Sequence, residues 1–236
     1  MNKKLAVLMT VALAATALLA ATGKKKGALA STGNDDGPTT TGRASKFLIE
    51  QPPRLGSQAL AMSPFIQGAQ QVYKKPRQWI VLNTKYTTFG TDTSKFLEQL
   101  TFSWHVVLET KTAKENKGNR EQLPPYSYFT TTVTYFNIPA GQHGASVCLA
   151  PSYLERYGEP KAVGLEVTNE KGDVLGSGSW SDMKPIKAGS RFWEEEKFQS
   201  AMGGDNPAIV RRNGLVDRSK TIWALVNPND YEATVQ

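Results

Sequence analysis

Few side chains in this sequence could carry acid–base, nucleophilic or metal chemistry. The chain has 236 residues but only two histidines and one cysteine. His105 falls on the polar side of a segment in which apolar and polar residues alternate, and His143 falls in a proline- and glycine-bounded segment typical of a loop. Because neither has an evident partner nearby in sequence, we predict a partly exposed sheet residue at His105 and a solvated loop residue at His143, rather than general bases or metal ligands.

Cys148 is the single thiol of the chain. One cysteine excludes an internal disulfide and a cysteine-rich zinc site. A nucleophilic thiol needs a base and a setting that stabilises the thiolate, and the sequence shows neither. We therefore predict that Cys148, in a short strand between Val147 and Leu149, behaves as a small buried hydrophobic residue.

Two segments resemble catalytic patterns without completing them. The segment 176–182 (GSGSWSD) has Trp180 where a G-x-S-x-G nucleophile elbow needs its second glycine. The three consecutive glutamates at 194–196 fall in the first turn of a predicted helix, where acids complement the helix dipole and adjacent side chains point in different directions. We predict structural roles for both; a periplasmic hydrolase built on His143 or on the glutamates is a third hypothesis for the function.

The aromatic side chains are the better candidates for ligand binding. The chain has 5 Trp, 8 Tyr and 9 Phe, more than one small core must contain. Tyr126, Tyr128, Trp180 and Trp193 are the candidates, because exposed aromatic faces stack on sugars and anchor protein interfaces. The alternative for each is packing in the core or across a strand pair.

The N-terminus carries an export signal. Lys3 and Lys4 precede an apolar run from Leu5 to Ala21, and small residues follow it. This is the pattern of a secretory signal peptide, which we assign to residues 1–22 with an alternative end at 30. Cleavage at either place and an uncleaved anchor all fit the sequence. We expect the protein in the periplasm, in the outer membrane or at the cell surface.

A polar tether follows the signal. Residues 23–46 contain five glycines and no aromatic residue, so they have nothing to bury and should form a flexible tether. Without the five lysines of residues 1–30, the formal net charge falls from +7 to +2. A nucleic-acid-binding domain should keep a basic surface in its folded part, so this balance excludes nucleic acid as the expected partner.

The folded part reads as β-structure. We predict an irregular lead-in over 47–78, with one short helix near 64–73, and then a sandwich over 79–236. In residues 100–112, Phe102, Trp104, Val106 and Leu108 alternate with polar residues, which gives a strand one buried and one wet face. The other predicted strands are 79–89, 126–138, 146–149, 161–168, 174–180 and 221–227.

Helices are predicted to be few and short. One covers 152–157, and another covers 192–202 with Ser190 as its cap. Seven or eight strands without alternating helices indicate an all-β protein with one antiparallel sandwich.

The strands also carry a family resemblance, in the segments WIVLNTKYTTF, LTFSWHVVLETKT, YSYFTTTVTYFNI and KAVGLEVTNEKGDVLGSGSW. Over residues 47–236 the chain resembles outer-envelope proteins of mucin-degrading Verrucomicrobia such as Akkermansia, which are associated with a type IV pilus gene cluster. The resemblance implies an immunoglobulin-like fold akin to that of archaeal pilus subunits, and a role in surface appendages or host contact. It brings no functional residues with it.

One feature departs from a prepilin. The basic segment Lys24–Gly27 follows the apolar run instead of preceding it. A mature chain cut there would lack the hydrophobic helix that builds a pilus filament, so we expect an accessory or adhesive module rather than a major pilin.

The resulting expectation is a non-catalytic, exported envelope protein. Its expected partners are other envelope or pilus proteins or a host mucin glycan, with membrane contact only through an uncleaved signal. We expect no cofactor and no metal. The alternative is a periplasmic or surface carbohydrate-binding sandwich.

Overall fold

The predicted β-sandwich is confirmed. The structure is a computed structural model that describes residues 47–56, 59–63, 77–90, 95–111, 123–184, 186–187 and 189–224. All of these belong to one compact unit, Asp36–Gln236. Within them, two five-stranded sheets pack face to face and two short α-helices lie outside the sheets.

The elements follow the chain in a regular order. In sequence they are β1 (Phe47–Gln51), β2 (Leu60–Met62), β3 (Gln78–Thr88), β4 (Phe96–Glu109), β5 (Tyr126–Pro139), β6 (Gly141–Leu149), α1 (Pro151–Tyr157), β7 (Glu159–Asn169), β8 (Val174–Ser181), α2 (Glu196–Ala201), β9 (Ile209–Arg212) and β10 (Leu215–Asp217). The first sheet has the order β1-β3-β6-β10, with β2 also paired to β3; the second has the order β8-β7-β4-β5-β9. All pairs are antiparallel except β5 with β9.

The strand order is that of an immunoglobulin-like sandwich. If β1, β3 and β6 are taken as strands A, B and E, then β8, β7, β4 and β5 fall in the order G, F, C and C′. Strand C of immunoglobulin domains carries a buried tryptophan, and β4 places the fully buried Trp104 there. The position of strand D is taken by β10, which comes from the end of the described chain.

Alternation along β4 creates the main core. Phe102, Trp104 and Val106 face the first sheet and are fully buried, while Ser103 and His105 between them face outward. Side chains of opposite faces alternate along a strand, so this pattern fixes which face of the second sheet is covered by the first.

The structure corrects the irregular lead-in predicted for 47–78. Residues in this range form β1 and β2, which pair with β3. Phe47 and Ile49 are buried in the main core, whereas Leu48 and Glu50 lie on the other face of the sheet. β1 therefore alternates as a strand does, but it is only five residues long. The helix predicted near 64–73 lies outside the described residues.

Two further predictions need correction. The strand predicted for 221–227 is wrong over its described part, because residues 221–224 form a turn in which the Thr221 side chain bonds to Arg218 O at 2.8 Å and accepts from Trp223 N. The helix predicted for 192–202 is divided by the extended residue Glu195 into a 3₁₀ turn and α2, and Ser190 does not cap it. The helix predicted at 152–157 is confirmed as α1.

Candidate binding site

The sandwich has two ends with different features. The chain enters β1 beside the end of β3, where Phe47 pairs with Thr88. At the opposite end, which we call the distal end, lie Gln78 at the start of β3 and Glu109 at the end of β4. The 11 residues of β3 separate the two ends by roughly 35 Å.

A cleft of about 810 Å³ opens at the distal end. Its apolar lining comes from Leu55, Leu60, Leu154 and Trp180. The Trp180 ring packs against the main core and is only partly buried, so part of it faces the cleft. A second cavity, of about 870 Å³, shares Leu55, Gly56, Ala59 and Trp180 with the lining of the first.

Charged side chains complete the lining of the cleft. Arg77 donates from Nε and Nη2 to the two carboxylate oxygens of Glu155, at 3.0 and 2.6 Å. Lys161 Nζ lies 3.5 Å from Asp182 Oδ2 and 3.6 Å from Glu109 Oε2. Slight burial lowers the pKa of Lys161, but the two carboxylates outweigh that effect and raise it. Lys161 is therefore charged at neutral pH, and the cleft offers both donors and acceptors.

Tyr126 lies next to this cluster. Its hydroxyl group donates to Glu109 Oε1 at 3.5 Å. Burial, followed by the neighbouring Glu109 carboxylate, raises the pKa of the phenol. Because Glu109 also contacts Lys161, the structure brings Tyr126 and Trp180, two of the four predicted aromatic residues, to the same end of the sandwich.

Tyr128 and Trp193 lie elsewhere, on the outer face of the second sheet. Tyr128 is 5% exposed and Trp193 is 6% exposed. The Trp193 ring stacks on His105, and the Tyr128 ring makes an edge contact with Phe198, at a centroid distance of 5.2 Å. Each of the two rings is thus packed against another side chain, and neither residue lies at the distal cleft.

His105 faces outward as predicted, but it is buried rather than partly exposed. Residues 192–202 lie over this part of the sheet and cover it. Burial, followed by the nearby Arg211 and Arg191 guanidinium groups, lowers the pKa of His105 to about 3. The outward-facing apolar Val107, two residues further along β4, was the sequence signal for a covering segment.

His143 lies in a strand, whereas the sequence predicted a loop. Only Ala140 separates β5 from β6, and His143 is the third residue of β6. Its Nε2 donates to Pro139 O at 2.7 Å, and its ring contacts Tyr86 at a centroid distance of 5.3 Å. These contacts of His143 stabilise the short connection by which the chain passes from β5 in the second sheet to β6 in the first.

The glutamates at 194–196 do not form a pair suited to catalysis. Glu194 forms an ion pair with Arg191, Glu195 is the extended residue before α2, and Glu196 is exposed. In the part of the chain that the structure describes, no group of three or more His, Cys, Asp and Glu side chains could hold a metal ion. In the same part, no helix is long and apolar enough to cross a membrane.

Cys148 is fully buried, as predicted. Burial raises the pKa of its thiol to about 11. We expect native protein to resist iodoacetamide at pH 7.5 and to react fully once unfolded in guanidinium chloride, with mass spectrometry as the readout. Stoichiometric labelling of the native protein within minutes would contradict this assignment.

Comparison with known proteins agrees with the fold. A solved crystal structure of a protein from Akkermansia muciniphila matches with a TM-score of 0.55 at 18% sequence identity, covering 81% of this chain and 93% of that one. At this identity the match supports a shared fold. A comparison with curated proteins found no match. A protein-family model matches residues 57–222, well over half of the sequence, and the chain therefore belongs to the family that this model describes.

Proposed function

We propose that this protein is a non-catalytic module of the bacterial envelope that is exported and acts by binding, as a pilus-associated or adhesive component. The family match over residues 57–222, together with the export signal and the polar tether predicted from the sequence, supports this proposal. The partners we propose are a host glycoprotein such as mucin, or another envelope or pilus protein.

The observation that carries the proposal is the position of the distal cleft. A module held by its N-terminal segment is attached at the Phe47 end of the sandwich. The cleft with Trp180 opens at the other end, roughly 35 Å away along β3. In such a module the cleft lies at the end opposite the attached N-terminus. An external partner can reach the cleft in this arrangement.

The lining of the cleft suits a sugar. A tryptophan ring stacks on the apolar face of a pyranose, and nearby carboxylate, ammonium and guanidinium groups bond to its hydroxyl groups. Trp180 supplies the ring, and Arg77, Glu155, Lys161 and Asp182 supply the polar groups. This observation also favours the second candidate function, a soluble carbohydrate-binding sandwich.

We expect the substitution Trp180→Ala to weaken binding to mucin glycans at least tenfold, or about 1.4 kcal/mol. Isothermal titration calorimetry with mucin-derived oligosaccharides measures the change. Because Trp180 also packs on the core, Lys161→Gln serves as a second variant, at a partly exposed side chain of the cleft lining. Phe96→Ala, an exposed aromatic residue at the opposite end, is the matched control. Unchanged affinity in both cleft variants would exclude this cleft as the glycan site.

Cell fractionation separates the two candidate functions. Appendages sheared from cells that express the protein natively are compared with periplasm and outer membrane, and mass spectrometry gives the N-terminus in each fraction. Enrichment with the appendages, starting at Gly23 or Ser31, is the expected result. A purely periplasmic pool would contradict the adhesive role and support the soluble carbohydrate-binding alternative.

A further inference from the structure

A separate segment covers the outer face of the second sheet. We call residues 182–202, described apart from 185 and 188, the strap. Its apolar side chains Ile186, Phe192, Trp193 and Phe198 pack on Val107, Tyr128 and Ala162 of the sheet. This cluster is distinct from the main core between the sheets. The strap can therefore separate from the sheet without opening the sandwich.

The polar contacts between the strap and the sheet lie at residues 182–191, before α2. Asp182 and Met183 bond to β7 and β8 where the strap begins. Further along, Gly189 N donates to Ser179 O at 3.1 Å, and Ser179 Oγ donates to Ser190 O at 2.7 Å. Within the strap, Arg191 also forms an ion pair with Glu166 of β7. Residues 192–202 contact the sheet mainly through apolar and aromatic packing, so the docking of this part depends on the side chains beneath Trp193 and Phe198.

His105 is the polar side chain at the centre of this contact. Its ring is parallel to the Trp193 indole, with the centroids 4.2 Å apart and an interplanar angle of 7°. Nδ1 hydrogen-bonds the Tyr128 hydroxyl at 2.6 Å. Nε2 is buried and has no hydrogen-bond partner among the described residues. The site therefore fits a neutral imidazole and provides no acceptor for a second ring proton.

The charges around His105 also oppose a proton on it. Arg211 of β9 and Arg191 of the strap both act on the ring as positive charges. The nearby carboxylates, Glu166 of β7 and Glu194 of the strap, are engaged by Arg191. Burial raises the pKa of Tyr128, so it stays neutral as well. An imidazolium would thus be desolvated between two cations.

We propose that the strap is an acid-released cover, in which protonation of His105 undocks residues 182–202 from the second sheet while the sandwich stays folded. Undocking exposes Tyr128, Trp193 and Phe198, which form a single aromatic cluster in the docked state. The strap thereby couples the exposure of an apolar surface to the pH outside the cell.

The direction and size of the effect follow from linkage. The pKa of His105 is about 3 when the strap is docked, and near its ordinary value of 6.5 when the ring is solvated. A lowered pKa means that the docked state is favoured above 6.5 and loses this advantage as the pH falls toward 3. The docking equilibrium constant should fall about fifty-fold between pH 6.5 and pH 4.5.

Hydrogen exchange of the full mature chain tests the proposal. Protection of peptides from 192–202 is measured by mass spectrometry at pH 6.5 and 4.5, after correction for the intrinsic exchange rate, with β3 and β6 peptides as internal references. We expect the strap to lose about fifty-fold in protection while the references hold. His105→Asn should abolish the loss, and His143→Asn should leave it intact.

Three results would overturn the proposal: equal strap protection at both pH values, an unchanged loss in His105→Asn, or parallel loss in the reference peptides. If His105→Asn does not fold, the wild-type chain still decides the question. It has only two histidines, so nuclear magnetic resonance can follow each ring against pH. A His105 ring that titrates near 6.5 with the strap protected would also overturn the proposal.

Discussion

Replacing Gly158 by alanine should lower the free energy of unfolding by about 3–5 kcal/mol, because left-handed backbone strain adds to overpacking. Gly158 has φ +97° and ends α1 where the chain enters β7. A Cβ atom there would lie 1.9 Å from Glu109 O and 3.0 Å from Lys111 N, both backbone atoms that cannot rotate away. Guanidinium chloride denaturation followed by far-UV circular dichroism measures the change.

Gly172→Ala is the matched control for Gly158. Gly172 also has positive φ, +84°, but nothing lies within 4 Å of its ideal Cβ position. The Gly172→Ala variant should lose only the free energy of the backbone strain, about 1–2 kcal/mol of the free energy of unfolding. Equal losses in the two variants would show that contact with the end of β4 does not decide the stability there. Because Gly158 lines the distal cleft, its variant should also lose glycan affinity.

Replacing Gly164 by alanine should destabilise the protein by about 2–3 kcal/mol, in the range of an overpacked core. A Cβ atom at Gly164 would lie 2.2 Å from Trp193 Cζ3 and 3.1 Å from Phe192 Cε1. The absence of a side chain on β7 is what lets Trp193 lie flat against the sheet. The indole must therefore move, which loosens the strap.

Two measurements distinguish local loosening of the strap from unfolding of the whole sandwich. Near-UV circular dichroism and hydrogen exchange of residues 192–202 should change in Gly164→Ala, whereas the far-UV spectrum should stay that of a β-sandwich. Gly144→Ala is the control, because the nearest atom to its ideal Cβ is Thr84 O at 3.7 Å, an ordinary contact. A strap as well protected in Gly164→Ala as in the wild type would contradict the packing described above.

Local pattern was enough to predict the central strands. β3, β4 and β5 each have eleven or more residues and are rich in β-branched or aromatic types, and β7 and β8 are joined by a short turn that contains Gly172. These features act within one strand and its turn, so they are visible in sequence. The class of fold followed from them.

Short strands escaped prediction because their partners decide them. β1, β2, β9 and β10 have three to five residues each, and β9 and β10 pair with strands that lie far away in the sequence. A few residues carry too little periodicity to distinguish a strand from an irregular segment. Thr221 shows the opposite case. The residues from 221 onward are of types common in strands, but the Thr221 hydroxyl group donates to Arg218 O, and the described residues 221–224 form a turn.

The candidate site was predictable by residue type but not by place. Alternation assigned His105 to the polar face of its strand, yet it could not reveal that Trp193, far along the chain, covers it. Trp180 is on the inward face of β8, where it reaches the cleft because the sandwich is open at that end. Cover and opening both depend on packing between distant segments.

Site-specific photo-crosslinking tests the central claim, that the distal end makes the contact. A p-benzoylphenylalanine is placed either at Met62, which is 55% exposed and lines the cleft, or at Phe96, which is 54% exposed at the opposite end. The two sites match in exposure, and neither substitution removes a buried group. Intact cells displaying each variant are irradiated with mucin present. We predict crosslinks to mucin glycoprotein or to an appendage protein from position 62 and none from position 96; crosslinks from position 96 alone would contradict the account.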